Sequence, residues 1–356
     1  MQRVKEMKLV SEEIVDGRFK GLFDSATVDQ QLSEILSHKR LKVQVFGVGG
    51  AGNNAVTSLM GSHPESIETV AVNTDAQDLL CANADCKLLI GRRLTGGLGA
   101  GNNPEVGLAA ARESLEEIKS VVSAEMVFVV CGLGGGTGTG AAPIIAETAR
   151  KFGALTISAC FLPFLIEGRK RWQNAVRGLR EIYRASDTVV VIPNEKLLEA
   201  TSNLSLTDAF TLANEVLAKG VKSMAELATK PGLVNVDLAD IRTVLKNSGV
   251  SFIGVGEAAE GNRASKAVEA ALTNPILDVD IHNARAALIN ISGDQNLTVS
   301  EAELAVRRVS ERLNRDAEII WGATINSDLK DVLRVTIVIG SVSSPYVEQL
   351  IESFEG

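Results

Sequence analysis

Residues 134–140 read Gly134-Gly135-Gly136-Thr137-Gly138-Thr139-Gly140, and their neighbours on either side decide the fold. An apolar run at 126–130 precedes them, and a helical segment at 141–152, capped near Ala141-Ala142-Pro143, follows. Five glycines in seven residues cost chain entropy and bring no side chain to bury. A flexible linker does not sit between a buried strand and a helix. The physical use of such a turn is close backbone approach to an anion. Amide groups and the helix N-terminus supply positive potential there, and Thr137 and Thr139 add hydroxyl donors. No Gly-Lys-Ser/Thr follows, so this is not a Walker P-loop.

Two further turns are built the same way. Gly47-Val48-Gly49-Gly50-Ala51-Gly52-Asn53-Asn54 follows a strand, opens a helix and matches G-x-G-x-x-G. Asp75 ends the next strand, and this pair taken alone is the fingerprint of a dinucleotide-binding fold. The third turn is Gly96-Gly97-Leu98-Gly99-Ala100-Gly101-Asn102-Asn103-Pro104. Three loops exceed what a diphosphate needs and fit a triphosphate held along its length. An NAD-dependent oxidoreductase, the alternative suggested by the first loop, would leave the other two unused.

Around these turns, β-rich runs at 43–48, 69–72, 126–130, 155–161 and 188–192 alternate with amphipathic segments at 53–60, 104–122, 141–152 and 169–185. Runs without in/out alternation, separated by helices, predict an α/β fold, a Rossmann-like parallel sheet covered on both faces. Its ligand would lie at the carboxyl ends of the strands. A long helix is expected from Leu206 to Thr229, stopped by Lys230-Pro231-Gly232. Strands at 251–255, 286–292 and 335–339 then alternate with helices near 264–273 and 299–313, which reads as a smaller C-terminal α+β domain. The expected division is an N-terminal helical arm at 1–41, a nucleotide-binding domain at 42–205 and a central helix at 206–230. A loop and helix at 231–248, the α+β domain at 249–342 and a short tail at 343–356 complete it.

Composition removes other classes. Of 356 residues, 45% are apolar and 22% charged, a globular balance that excludes wholesale disorder. Lys and Arg number 36 against 44 Asp and Glu, for a net charge of −8, which argues against bulk nucleic-acid binding. No apolar run approaches the roughly 18 residues of a membrane span, so direct membrane insertion is not expected. The N-terminus lacks the apolar core of a secretory signal. Cys81, Cys86, Cys131 and Cys160 show no CxxC spacing and read as reduced thiols. His38, His63 and His282 lie far apart, so no protein metal site is expected.

The loop at 134–140 matches the signature of the tubulin superfamily. Together with residues 49–54, Asn73-Thr74-Asp75 and residues 98–104, the chain resembles the FtsZ family of prokaryotic cell-division GTPases. The resemblance runs from about residue 42 to about 340, and the N-terminal arm looks more like archaeal members. Gly96 stands where the family usually has Arg, and Leu238 where Phe is commoner. The resemblance implies GTP and GDP as ligands with Mg²⁺. It assigns the phosphates to Gly49, Gly50, Ala51, Gly52, Asn53, Asn54, Ala100, Gly101, Gly135, Gly136, Thr137, Gly138, Thr139 and Gly140, and counts Asp75 among the nucleotide-binding residues. Pro163, Glu167, Arg171, Asn194, Phe210 and Asn214 would serve ribose and base.

Residue by residue, simpler readings stand beside these. Glu167 and Arg171 are spaced i, i+4 and could form a local ion pair. Phe210 and Asn214 share a helix face, where an aromatic is usually core. In the family the counterparts stack on guanine and bond its edge, and an Asn amide offers both donor and acceptor. The small-G-protein motif Asn-Lys-x-Asp is absent, so guanine preference rests on the resemblance.

No general base appears beside the glycine loops. Asn235, Asp237 and Asp240 lie past the long helix, in Gly232-Leu233-Val234-Asn235-Val236-Asp237-Leu238-Ala239-Asp240. Asp237 could simply N-cap the next helix with Asp240 at N3. A helix of about 24 residues spans roughly 36 Å, which puts this loop at the far end from the chain's own triphosphate. Head-to-tail stacking would bring it to the next subunit's nucleotide, and such heterologous contacts extend into filaments. The resemblance implies the same arrangement. A homopolymer at a cytoplasmic division site, with a membrane-tethering adaptor, is therefore expected; a cell-shape paralogue of the same fold is the alternative.

Overall fold

Every residue of strand β1 (Val43–Val48) is buried, and so is every residue of β5 (Leu155–Leu162) and β6 (Thr188–Pro193). That is why these runs carry no alternation: both faces of the sheet are covered. The computed structural model describes residues 41–61, 67–196, 205–229, 232–273 and 279–344, with positions 348, 349 and 352 beyond. The N-terminal arm expected at 1–41 lies outside the described residues except for its last position, and so does most of the tail.

In chain order β1 is followed by α1 (Gly49–Met60), β2 (Ile67–Asn73), α2 (Ala76–Cys81), β3 (Cys86–Leu89) and α3 (Arg92–Thr95). Then come α4 (Pro104–Glu113), α5 (Leu115–Val121), β4 (Met126–Gly132), α6 (Thr137–Lys151) and β5. A 3₁₀ turn, Leu165–Glu167, leads into α7 (Arg169–Ala185), β6 and the long α8 (Leu206–Thr229). The remainder is α9 (Leu238–Leu245), β7 (Gly249–Ala258), α10 (Arg263–Leu272), β8 (Ala286–Gly293), α11 (Val299–Ser310), β9 (Glu318–Ile325) and β10 (Leu333–Gly340).

The strands form one sheet in the order β3-β2-β1-β4-β5-β6-β7-β10-β8-β9. The first six are parallel. Strand β7 joins β6 through only Thr188↔Gly249 and Val189↔Val250, then runs antiparallel to β10. β8 pairs antiparallel with β10 and parallel with β9. Helix α8 packs on α1, β7 and β8. Its buried Ala213, Leu217, Ala218, Val221, Met224 and Ala225 recur at helical spacing.

Four expectations need correction. The segment at 104–122 is two helices, because the chain breaks at Ser114 (φ −99°, ψ 26°), whose Oγ accepts from Gly91 N at 3.1 Å. Helices α1 and α6 begin inside the glycine loops, at Gly49 and Thr137, and Pro143 lies within α6 rather than at its start. Strands β3 and β9 were not anticipated. Both lie at sheet edges and are partly exposed.

In the C-terminal half, Arg263 ties α10 to α11. Its Nε donates to Glu301 Oε1 at 2.6 Å and its Nη1 to Asp331 O at 3.0 Å. The guanidinium and the Thr298 amide and hydroxyl hold Glu301 down from the usual carboxylate value to about 2. A carboxyl depressed on folding stabilises above its unfolded pKa and loses that contribution as pH falls toward the folded value. Glu301→Gln is therefore expected to cost about 2 kcal/mol at neutral pH. The difference from the parent should shrink as pH falls through the window from the 4.5 of a free carboxyl to about 2, read by denaturant unfolding across that range.

Candidate functional site

In the order β3-β2-β1-β4-β5-β6 the connections reverse direction between β1 and β4, the position where open α/β sheets bind ligands. The loops leaving these strands become α1 and α6, and glycine lets them touch backbone to backbone. A Cβ on Gly138 would sit 2.5 Å from Gly132 O, and one on Gly49 (φ +72°) 3.0 Å from Gly138 N. Two helix N-termini thus open side by side into one cleft. Thr74 and Thr137 hydroxyls lie 2.6 Å apart and join the end of β2 to the start of α6.

The cleft has a volume of about 1070 Å³. Gly49, Gly50, Ala51 and Asn54 line it from the first loop, and Gly135, Gly136, Thr137 and Gly138 from the second. The third turn contributes Ala100 and Gly101, docked through an Asp75↔Leu98 bridge and Gly99 N to Thr74 O at 3.1 Å. Asp75 lines the cleft as well, while its Oδ1 caps α2 by accepting from Gln77 N and Asp78 N.

Four expected phosphate residues do not line the cleft. A Cβ on Gly52 would meet Val130 O at 2.4 Å, and one on Gly140 would meet Pro104 O at 2.1 Å, so both permit close packing behind the loops. Thr139 Oγ accepts from Gly134 N at 2.9 Å and holds the second loop from beneath. Asn53 is 2% exposed, with both amide atoms lacking a hydrogen-bond partner.

Pro163, Glu167, Arg171, Asn194, Phe210 and Asn214 also line the cleft, with Pro163 and Arg171 set against the second glycine turn. The local ion pair between Glu167 and Arg171 exists, and Glu167 Oε1 also accepts from Phe164 N at 2.8 Å. Both residues face the cleft, so the pairing and a ligand contact are compatible. Asn194 is 7% exposed and its Oδ1 has no partner. Phe210 meets Phe164 edge to face, with ring centroids 5.5 Å apart. The sequence reading missed Thr207 and Thr211, which line the cleft with Phe210 and Asn214 at i, i+3, i+4 and i+7 on α8. That spacing was the available signal.

Asn235, Asp237 and Asp240 are elsewhere. They follow the far end of α8, whose beginning supplies Phe210 and Asn214, and none of them lines the cleft. Asn235 Oδ1 accepts from Gly232 N at 2.7 Å. Asp237 and Asp240 form a reciprocal capping box on α9: Asp240 N donates to Asp237 Oδ1 at 2.8 Å, and Asp237 N donates to Asp240 Oδ2 at 2.9 Å. The capping alternative is therefore real and uses both carboxylates, not one. It leaves Asp237 Oδ2 and Asp240 Oδ1 without hydrogen-bond partners among the described residues.

Known proteins share both halves. Residues 42–202 match the model of the Tubulin/FtsZ family GTPase domain, and residues 249–343 that of the FtsZ family C-terminal domain. The cell division protein FtsZ of Methanothermobacter thermautotrophicus is 54% identical over 91% of this chain and 85% of its own. An empty FtsZ dimer structure from M. jannaschii superposes with a TM-score of 0.81 at 51% identity, covering 88% of this chain and 91% of that one. A GTPγS-bound CetZ2 protofilament structure from Haloferax volcanii gives 0.76 at 25% identity, over 88% of this chain and 97% of that one. The chain belongs to the tubulin/FtsZ family of GTPases and, within it, to FtsZ. It is a cell-division GTPase that binds GTP and GDP, and the oxidoreductase alternative falls away.

A stacking ring on the base adds about 0.5–1.5 kcal/mol beyond its buried area. Phe210→Ala is expected to weaken GDP binding about tenfold, measured by calorimetric titration of dilute protein.

Proposed function

We propose that this GTPase assembles head to tail, each subunit holding GTP in its cleft while the adjoining subunit's acidic loop completes the hydrolytic site. One observation carries the reading. The cleft itself offers two carboxylates: Glu167, both of whose oxygens are taken by Arg171 and Phe164 N, and Asp75, whose Oδ1 caps α2 and whose Oδ2 is left for a cation. The uncommitted oxygens of Asp237 and Asp240 lie past the opposite end of a helix spanning roughly 36 Å. A subunit cannot bring them to its own nucleotide, but a stacked copy can. Exposed Leu98 and Ile166 beside the cleft, and exposed Leu233 at the acidic end, support burial of both faces by assembly.

The cleft suits the nucleotide. It is lined by glycine turns packed backbone to backbone, with no side chains to crowd a phosphate, and it also offers the orphaned Asn194 Oδ1. Among the described residues no cluster of three or more His, Cys, Asp or Glu could hold a metal by itself. Mg²⁺ would accordingly be held by phosphate oxygens together with hard protein oxygens such as those of Asp75 and Thr137. When bound it neutralises charge on the β- and γ-phosphates.

In this mechanism the amides of Gly135, Gly136, Thr137 and Gly138, with those opening α1, donate to phosphate oxygens. Glu167 and Arg171 hold the ribose end, and Phe210 with Asn214 and Asn194 holds guanine. Asp237 and Asp240 of the adjoining subunit accept hydrogen bonds from a water and orient it in line with the γ-phosphorus, with Asn235 beside them. Loss of the γ-phosphate removes a contact across the junction, which couples turnover to assembly.

The same reading divides the chain into a nucleotide-binding domain at 42–205, a central helix at 206–230, the loop and helix at 231–248, and a C-terminal domain at 249–342. It places the filament at the cytoplasmic division site, tethered by a membrane adaptor. No helix of the described residues is long and apolar enough to cross a membrane.

The test is GTPase rate against protein concentration, followed together with light scattering. The rate per molecule should rise above a threshold that coincides with scattering. Asp237→Ala should keep GDP binding and lose turnover by about 100-fold or more. Parental turnover in this variant, or full activity in the dilute monomer, would overturn the shared site.

A further inference from the structure

The acidic helix α9 is held from two sides by different forces. Its apolar residues Ile241, Val244 and Leu245 are buried, and the helix packs on β8 and β10 of the C-terminal half. Toward the parallel half the tie is polar. Arg242 Nη2 donates to Gly153 O at 2.8 Å and to Glu125 O at 3.4 Å. Gly153 follows the end of α6 and leads into β5, and Glu125 immediately precedes β4. Glu125 O also accepts from Leu155 N at 2.8 Å, so one guanidinium grips the point where the two central strands begin. The opposite ends of those strands carry Gly132 and Pro163 at the nucleotide cleft.

A second polar tie runs the other way. Arg150 Nη2, on α6, donates to Asn247 Oδ1 at 3.0 Å, just past α9. Arg150 is itself anchored by Arg184 O at 3.0 Å and by buried Asp187 at 3.6 Å. Neither Arg242 nor Arg150 touches Asp237 or Asp240, which sit on the first turn of the same short helix.

We infer that Arg242 is a positioning residue for GTP hydrolysis: it locks α9 to the base of β4 and β5 and so fixes where Asp237 and Asp240 are presented to the adjoining subunit's nucleotide. This rests on the shared-site reading above. The physical ground is geometric. A helix of eight residues held only along its apolar face can pivot on that face, and displacement of a reacting group by about 1 Å costs on the order of 100-fold in rate. A guanidinium shared between two backbone carbonyls removes the pivot. Arg242 also sits near the C-terminus of α6, where a cation is favoured by the helix dipole.

The test compares full-length Arg242→Ala, Arg242→Lys and Asp237→Ala, with the parent as reference. GDP affinity of dilute protein, the assembly threshold and the GTPase rate per assembled subunit are measured for each, the last as a function of GTP. Arg242→Ala should lower the maximal rate at least tenfold, while GDP affinity and the GTP concentration at half-maximal rate stay within twofold of the parent. Arg242→Lys should recover most of the rate, because a lysine ammonium can still reach Gly153 O.

Parental turnover by Arg242→Ala alongside loss in Asp237→Ala would overturn this inference and leave the shared site standing. Parental turnover in both would instead remove the shared site. If Arg242→Ala fails to fold or assemble, Arg242→Lys decides: a folded, assembled protein with an unchanged half-maximal GTP concentration and at least a third of the parental rate supports positioning. Failure of the lysine variant to assemble would mean a structural tie only and overturn the inference.

Discussion

Backbone contact between two glycine turns is the constraint on which the rest of the molecule depends. With a Cβ on Gly138 only 2.5 Å from Gly132 O, and one on Gly49 3.0 Å from Gly138 N, neither helix could begin where it does with a larger residue. Because they begin there, α1 and α6 both aim their unpaired amides at one place. Each helix N-terminus carries about half a positive charge. A chain with a net charge of −8 can therefore bind a polyanion with no lysine in the loops. The glycines behind the cleft serve the same end. Gly52 and Gly140 let α1 settle on β4 and α6 settle on α4, which fixes the directions of those amides.

The second constraint is length. Helix α8 gives its first turns to the cleft and its last to the acidic loop, so one rigid element sets the separation of the two. The capping box at Asp237 and Asp240 draws on only part of each side chain. Each carboxylate uses one oxygen to satisfy a backbone amide at the start of α9 and keeps the other outward. Holding an acid by a backbone bond is a form of preorganisation, since its rotamer is set before any ligand arrives. Capping thus leaves one oxygen of each carboxylate available for a further contact.

What was legible in the sequence follows from the same physics. Central strands buried on both faces announce themselves as apolar runs, and β1 and α7 were readable to the residue. Edge strands were not. Cys86–Leu89 is four residues long and half exposed, so nothing in its composition separates it from a loop. The glycine turns revealed an anion site but not their own boundaries. Glycine obscures helix starts, and Thr139 and Gly140 lie inside α6 and do not line the cleft. The break at Ser114 was hidden because it depends on a hydroxyl accepting from Gly91, a partner 23 residues away. The family resemblance supplied which loop residues matter, while packing decided which of them actually face the cleft.

The sheet itself explains why polar ties around α9 matter. Its parallel and antiparallel halves are joined by only two residue pairs between β6 and β7. The other junction, α8 against β8 and β10, contains Ser223 Oγ, Asn290 Oδ1 and Thr336 Oγ1, all buried and without hydrogen-bond partners. Unpaired polar groups of this kind cost about 1–3 kcal/mol each, so this junction is not where the two halves are most firmly held. Arg242 and Arg150 cross the same divide with hydrogen bonds to Gly153 O and Asn247 Oδ1. They end on backbone and on a turn rather than on apolar surface, so they define direction as well as proximity. Orientation of the acidic helix relative to the nucleotide-binding strands accordingly depends on a few directional bonds.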